Sequence, residues 1–179
     1  IIVFILLFTF HFSLSTQLYA APYHTIIVDG NMSDWSADEI VAADMGDSTF
    51  DPGTDKNEIK NLYITWDRDN LYIGIEGQSN GNGILVYFDV NPGSNLGQGD
   101  ITKVNTWNRR IIFSGAVDLP GTAAVPFLPD YFFGSWDGGN GNFYAFPSST
   151  AVTDLSAQTS QTTSRASVKP GIEVRIPFN

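Results

Sequence analysis

The sequence contains no cysteine, which excludes disulfide staples, thiolate nucleophiles and cysteine-ligated zinc. Basic residues are scarce: nine Lys and Arg stand against nineteen Asp and Glu, a net charge of −10. Proteins that neutralise phosphates or anionic lipid need a positive footprint, so nucleic acid and acidic membranes are disfavoured partners. The same acidity suits solubility outside the cell and the binding of cations such as calcium. Potential haem ligands are few, only His24, Met32 and Met45 beyond the first twenty residues, and no haem is expected. No convincing amphipathic helix, internal repeat or interdomain linker can be read.

Charge is also absent from Ile1 to Leu18. The apolar run Ile1–Phe10 is too short for a good membrane span and is followed by Ser13, Ser15, Thr16 and Gln17. With the small exit residues Ala20 and Ala21 it reads as a secretory leader, residues 1–20, lacking its basic start. The expected location is extracellular or at the cell surface, of a bacterial-envelope type, with no membrane association once the leader is cut. Residues 21–179 are expected to form a single domain, in a chain truncated at both ends.

What is present is β-pattern. Asn61–Trp66 and Leu71–Glu76 flank the turn Asp67–Asn70, and counting outward from it pairs Trp66 with Leu71, Ile64 with Ile73 and Leu62 with Ile75. All three pairs are apolar and share one side, as in half-buried antiparallel strands. The other side, with Tyr63, Thr65, Tyr72 and Glu76, reads as solvated. In Ile84–Val90 both faces carry apolar residues, which predicts a central strand covered twice. Further strands are expected at Thr25–Val28, Arg109–Phe113, Tyr131–Phe133, Phe143–Phe146, near Ala151–Leu155 and at Gly171–Ile176, the last with Glu173 and Arg175 outward. Residues 36–43 read as one helical turn or an irregular edge. The fold class predicted is all-β, an antiparallel two-sheet sandwich of immunoglobulin or jelly-roll type.

Four motifs occur in order: Val28–Asp29–Gly30 to Asp34–Trp35, the hairpin Leu62–Glu76, the strand Ile84–Asp89, and Gly171–Ile172–Glu173–Val174–Arg175–Ile176–Pro177. This series resembles the secreted family 9 carbohydrate-binding modules and the wider DOMON-like sandwiches. The resemblance implies a non-catalytic module that docks on a polysaccharide or oligosaccharide, covalently linked to a catalytic or sorting domain. The alternative is an adhesion or cell-surface structural sandwich without a sugar ligand. Trp35 is expected to plug the end of the sandwich, and Trp66 to belong to the core.

Sugar binding requires exposed aromatic faces with amides and carboxylates nearby. The candidates are Trp136 with Asp137 and Asn140 in a glycine-rich loop, Trp107 between two asparagines, and Tyr131, Asn142 and Tyr144. For calcium, Asp89, Asn91 and Asp100 supply hard oxygens in one loop, and Asp44 and Asp47 in another. Neither loop has EF-hand spacing, and Asx-turns in a solvated acidic loop explain the same residues. No carboxylate pair or Ser–His–Asp set stands out for catalysis, and His24 reads as a solvated terminus.

Overall fold

The computed structural model describes residues 7–9, 24–44, 58–78, 83–94, 96–103, 115–117, 123–136, 141–148, 150–164 and 171–178. The strands are β1 (Leu7–Thr9), β2 (Ile40–Ala43), β3 (Glu58–Trp66), β4 (Asn70–Gln78), β5 (Gly83–Asp89), β6 (Ala116–Val117), β7 (Val125–Pro126), β8 (Tyr131–Trp136), β9 (Gly141–Ala145), β10 (Thr153–Asp154), β11 (Ser160–Ser164) and β12 (Gly171–Pro177). A front sheet runs β1-β5-β8-β9-β10 and a back sheet β11-β12-β4-β3-β2; β6 and β7 form a separate two-stranded ribbon. Pairing is antiparallel throughout except where β1, within the stretch read as a leader, lies parallel to Tyr87–Asp89 of β5. The all-β class and the sandwich-like architecture hold.

The hairpin register is as predicted: Trp66 opposes Leu71, Ile64 opposes Ile73 and Leu62 opposes Ile75. Leu62, Ile64, Ile73 and Ile75 join Ile172 and Val174 of β12 against Ile84, Val86, Phe88, Phe133 and Phe143 of the front sheet. Alternation in each strand delivers one face to this shared core, and its burial is the main driving force for closing the sandwich. Trp66 keeps the predicted register but is only half-buried, at the hairpin end. The two-sided reading of β5 is also correct. Its other face, Leu85 and Tyr87, packs with Ile101, Phe127, Phe132, Tyr144 and Phe146 in a second apolar layer, closed in part by the connection between β5 and β8.

The far side of the hairpin is only partly solvated. Thr65 and Tyr72 are buried, and a strap formed by residues 24–39 lies over them. Ile26, Met32 and Trp35 of the strap pack on Tyr72 as a third cluster. Thr25–Val28 therefore does not pair as a strand; it is extended chain laid across the back sheet. Trp35 comes so close to Gly74 that a β-carbon there would stand 2.7 Å from its ring, so only glycine fits beneath it. Polar residues on a β-face suggest water, but a covering segment that hydrogen-bonds them buries the same pattern.

Elsewhere, the residues read as a helical turn or edge form a 3₁₀ turn, Ala37–Glu39, leading directly into edge strand β2. The Ser/Thr-rich stretch read as an exposed loop contains β11, paired with β12 from Ser160↔Arg175 to Ser164↔Gly171. The strand expected at Arg109–Phe113 lies outside the described residues. No helix among the described residues is long and apolar enough to cross a membrane.

Candidate functional site

One buried polar centre lies where sequence patterning points away from it. Glu173, expected outward, is fully buried on the back of the sandwich. Its Oε2 accepts the backbone N–H groups of Asp29 (2.9 Å) and Gly30 (2.6 Å), and its Oε1 accepts the Trp35 indole N–H (2.9 Å). Gly30 has a φ of 81°, the left-handed region that lets the turn aim two successive N–H groups at one oxygen. Burial pushes the Glu173 carboxyl above the usual glutamate range, the three donors pull it back, and the charge of Asp34 adds to the rise. The Asp–Gly turn and tryptophan of the first motif and the Glu of the last are thus one hydrogen-bonded unit.

His24 is also engaged. Its Nε2 lies 2.9 Å from the Asp34 carbonyl oxygen and its Nδ1 lies 3.1 Å from Glu39 Oε1, while Glu39 Oε2 accepts the Ser36 N–H. Asp67 closes the hairpin turn: Oδ1 accepts the N–H groups of Asp69 and Asn70, and Oδ2 accepts the hydroxyls of Tyr72 (2.6 Å) and Thr25 (3.0 Å). The Tyr72 hydroxyl leads the interactions that hold the Asp67 carboxyl well below the usual range. Burial and that same carboxylate push Tyr72 up to about 12.

In the loop after β5, Asp89 is buried, with Oδ1 accepting the Asn91 N–H (3.2 Å) and Oδ2 the Leu128 N–H (3.3 Å). Burial raises its pKa, these two donors lower it, and neighbouring Asp130 raises it further. Asp130 accepts the Val90 N–H and the Asn91 side-chain amide, so it locks the start of the loop; nothing in its spacing marks it in the sequence. Asn91 Oδ1 in turn accepts the Ser94 hydroxyl, and Asp100 Oδ1 accepts the N–H and hydroxyl of Thr102. This is the hydrogen bonding of Asx-turns, the second of the two readings given to these residues. Asp44 lies half-buried just past β2, and its N–H donates to the Lys60 carbonyl. Asp47 is outside the described residues. Among the described residues no group of three or more His, Asp or Glu is arranged to hold a metal ion.

The sugar-binding candidates divide. Tyr131 is half-buried and stacks on Phe143 at 5.7 Å in the shared core, while Tyr144 is buried and stacks on Phe132 at 6.1 Å in the front layer. Each ring thus has one face taken by packing, and Tyr144 is buried as well. The Asn142 amide donates to the Ser156 hydroxyl beside β10. Trp136 ends β8 opposite Gly83, and Ser135 pairs with Gly141. Residues 136–140 are therefore the five residues between the last paired positions of β8 and β9. Trp107, Asp137 and Asn140 lie outside the described residues.

A further constellation escaped the sequence reading. Asn61 and Glu76 face each other across β3 and β4, and Glu76 Oε2 accepts both the Asn61 amide (2.7 Å) and the Tyr63 hydroxyl (2.9 Å). Burial and this carboxylate push Tyr63 up to about 12. Its ring meets Trp35 at 5.5 Å. The available signal was Asn, Tyr and Glu at period two on one face of a confident hairpin. Comparison with family models, with curated proteins and with solved structures gives no match for the chain.

Proposed function

We propose that this chain is a secreted, non-catalytic sandwich that holds a polysaccharide through ring stacking and hydrogen bonds to hydroxyls. The observation that supports the reading is the β8–β9 register: Ser135 pairs with Gly141, so in the sequence Trp136 at the end of β8 is followed by only Asp137, two glycines and Asn140 before β9 begins. An indole, a carboxylate and an amide in so short a segment have the chemistry that sugar recognition uses. A non-catalytic reading is supported by the partners of the two carboxyls that burial raises among the described residues. Asp89 and Glu173 are both committed to N–H donors that hold loops in place, whereas a general acid must face substrate.

The test is affinity electrophoresis of the full chain in gels containing xylan, hydroxyethyl cellulose, soluble starch or glycol chitin. At least one polymer is expected to retard the parent, with Trp136→Ala reducing the effect; retardation unchanged in the variant rules the loop out. The adhesion or structural reading is favoured by a different observation, that Tyr144 is buried and Tyr131 stacks on the core residue Phe143. It predicts no retardation by any glycan.

A further inference from the structure

The strap leaves part of the back sheet uncovered. Met32 and Trp35 fill the space over Gly74 and Gly171, but Asn61, Tyr63 and Glu76 remain half-buried beside them rather than sealed. Their mutual hydrogen bonds use only the Asn61 amide nitrogen, the Tyr63 hydroxyl and Glu76 Oε2. Asn61 Oδ1 and Glu76 Oε1 accept from no described residue, and neither is among the sealed, unpartnered oxygens. Two acceptors thus retain solvent access one strand rung from a half-exposed aromatic ring. Glu76 faces Gly171 on β12 and Tyr63 faces Gly74 on β4, so these two neighbours add no side chain over them, while Ile40 of β2 and the Trp35 ring flank Tyr63 on its other sides.

We propose that Asn61, Tyr63 and Glu76 form a contact site for a neutral, hydroxyl-rich glycan on the outer face of the back sheet. The two oxygens accept hydroxyl protons, and the tyrosine ring receives the C–H face of a sugar unit. Because all three side chains stand on paired strands and are bonded to one another, little ordering is needed on binding. A ligand carrying carboxylates or sulfates is disfavoured, since it would meet the Glu76 carboxylate on a chain of net charge −10. The proposal rests on the carbohydrate reading for its ligand class, but not on the segment 136–140.

The experiment uses the full chain and its Asn61→Ala, Glu76→Ala, Glu76→Gln and Trp136→Ala variants in the same four gels, with polygalacturonate as an acidic polymer. Melting temperatures identify any variant that fails to fold; if Glu76→Ala does, Asn61→Ala and Glu76→Gln decide. On the polymer that retards the parent, Asn61→Ala and Glu76→Ala are expected to weaken binding at least tenfold. Glu76→Gln, which keeps an acceptor oxygen, should lose less, and polygalacturonate should retard none. Parent-like retardation of folded Asn61 and Glu76 variants overturns this site while leaving the carbohydrate reading intact. Retardation of the parent by polygalacturonate overturns the choice of a neutral ligand. A parent retarded by no neutral polymer overturns both the site and the carbohydrate reading.

Discussion

Replacing Glu173 by glutamine tests how the N-terminal strap is held to the back sheet. The native carboxylate serves three donors with two oxygens, two backbone N–H groups on Oε2 and one indole N–H on Oε1. An amide has one acceptor oxygen, so either orientation sets an NH₂ group against a buried N–H. One donor is then unsatisfied, at about 1–3 kcal/mol, partly offset because no charge is desolvated. The expected net loss near neutral pH is about 2 kcal/mol, or roughly 4–8 °C in melting temperature for a domain of this size. The pH dependence carries the sharper information. Because burial raises the folded Glu173 pKa, the unfolded chain releases this proton first, near pH 4. Between the unfolded and folded pKa values the unfolded state binds fewer protons, so this contribution to stability falls as pH rises. The advantage of the parent over Glu173→Gln should therefore be largest below about pH 4 and shrink toward pH 7. Thermal unfolding of both proteins at pH 4, 5.5 and 7 measures it. An advantage that grows with pH would refute the reasoning, because it would mean that the three donors outweigh desolvation.

Gly74→Ala would drive a methyl group into Trp35 and Met32 and should cost about 1–3 kcal/mol by chemical denaturation; an unchanged midpoint would contradict the strap packing. Asp67 has the opposite sign to Glu173: its folded pKa is depressed, so its contribution is present above about pH 4 and is lost as pH falls. The stability gap between the parent and Asp67→Asn should accordingly narrow between pH 5 and pH 3, and a gap that widens would reverse the assignment. Phe143→Ala, in the shared core, should cost about 3–5 kcal/mol, read from the unfolding midpoint in urea. Chelation by EDTA tests the calcium reading of Asp89, Asn91 and Asp100: a fall of several degrees in melting temperature would place a structural cation in the acidic loops, and an unchanged value would leave the Asx-turn hydrogen bonds as their role.

The parts of the fold governed by strict alternation were legible in the sequence. The β3–β4 register, the two-sided burial of β5 and the inward set Ile172, Val174 and Ile176 all follow from which residues are apolar at period two. Polar positions were harder. Thr65, Tyr72 and Glu173 read as solvent-facing because alternation reports chemistry and cannot foresee a distant segment that supplies hydrogen bonds to a buried face. The pairing of Glu173 with Gly30 spans 143 residues, beyond any local pattern. β11 was missed because Ser, Gln and Thr carry no apolar period; the ladder with β12 imposes its conformation. Trp35 reads in the sequence as a buried plug, but it packs on the outer face of the back sheet rather than at the end of the sandwich, and Trp136, which reads as part of a loop, ends β8. Tyr131 and Tyr144 stand as candidates because aromatic residues near a glycine-rich loop look alike in sequence whether they face solvent, the shared core or the second apolar layer.

The central claim, that this sandwich binds a polysaccharide, is tested most directly by affinity electrophoresis of the unmodified chain. The mobility should fall in at least one of the xylan, hydroxyethyl cellulose, starch or glycol chitin gels, while a non-binding control protein is unaffected. Equal mobility in all four gels and in a polymer-free gel would contradict the claim and leave the structural-module reading in its place.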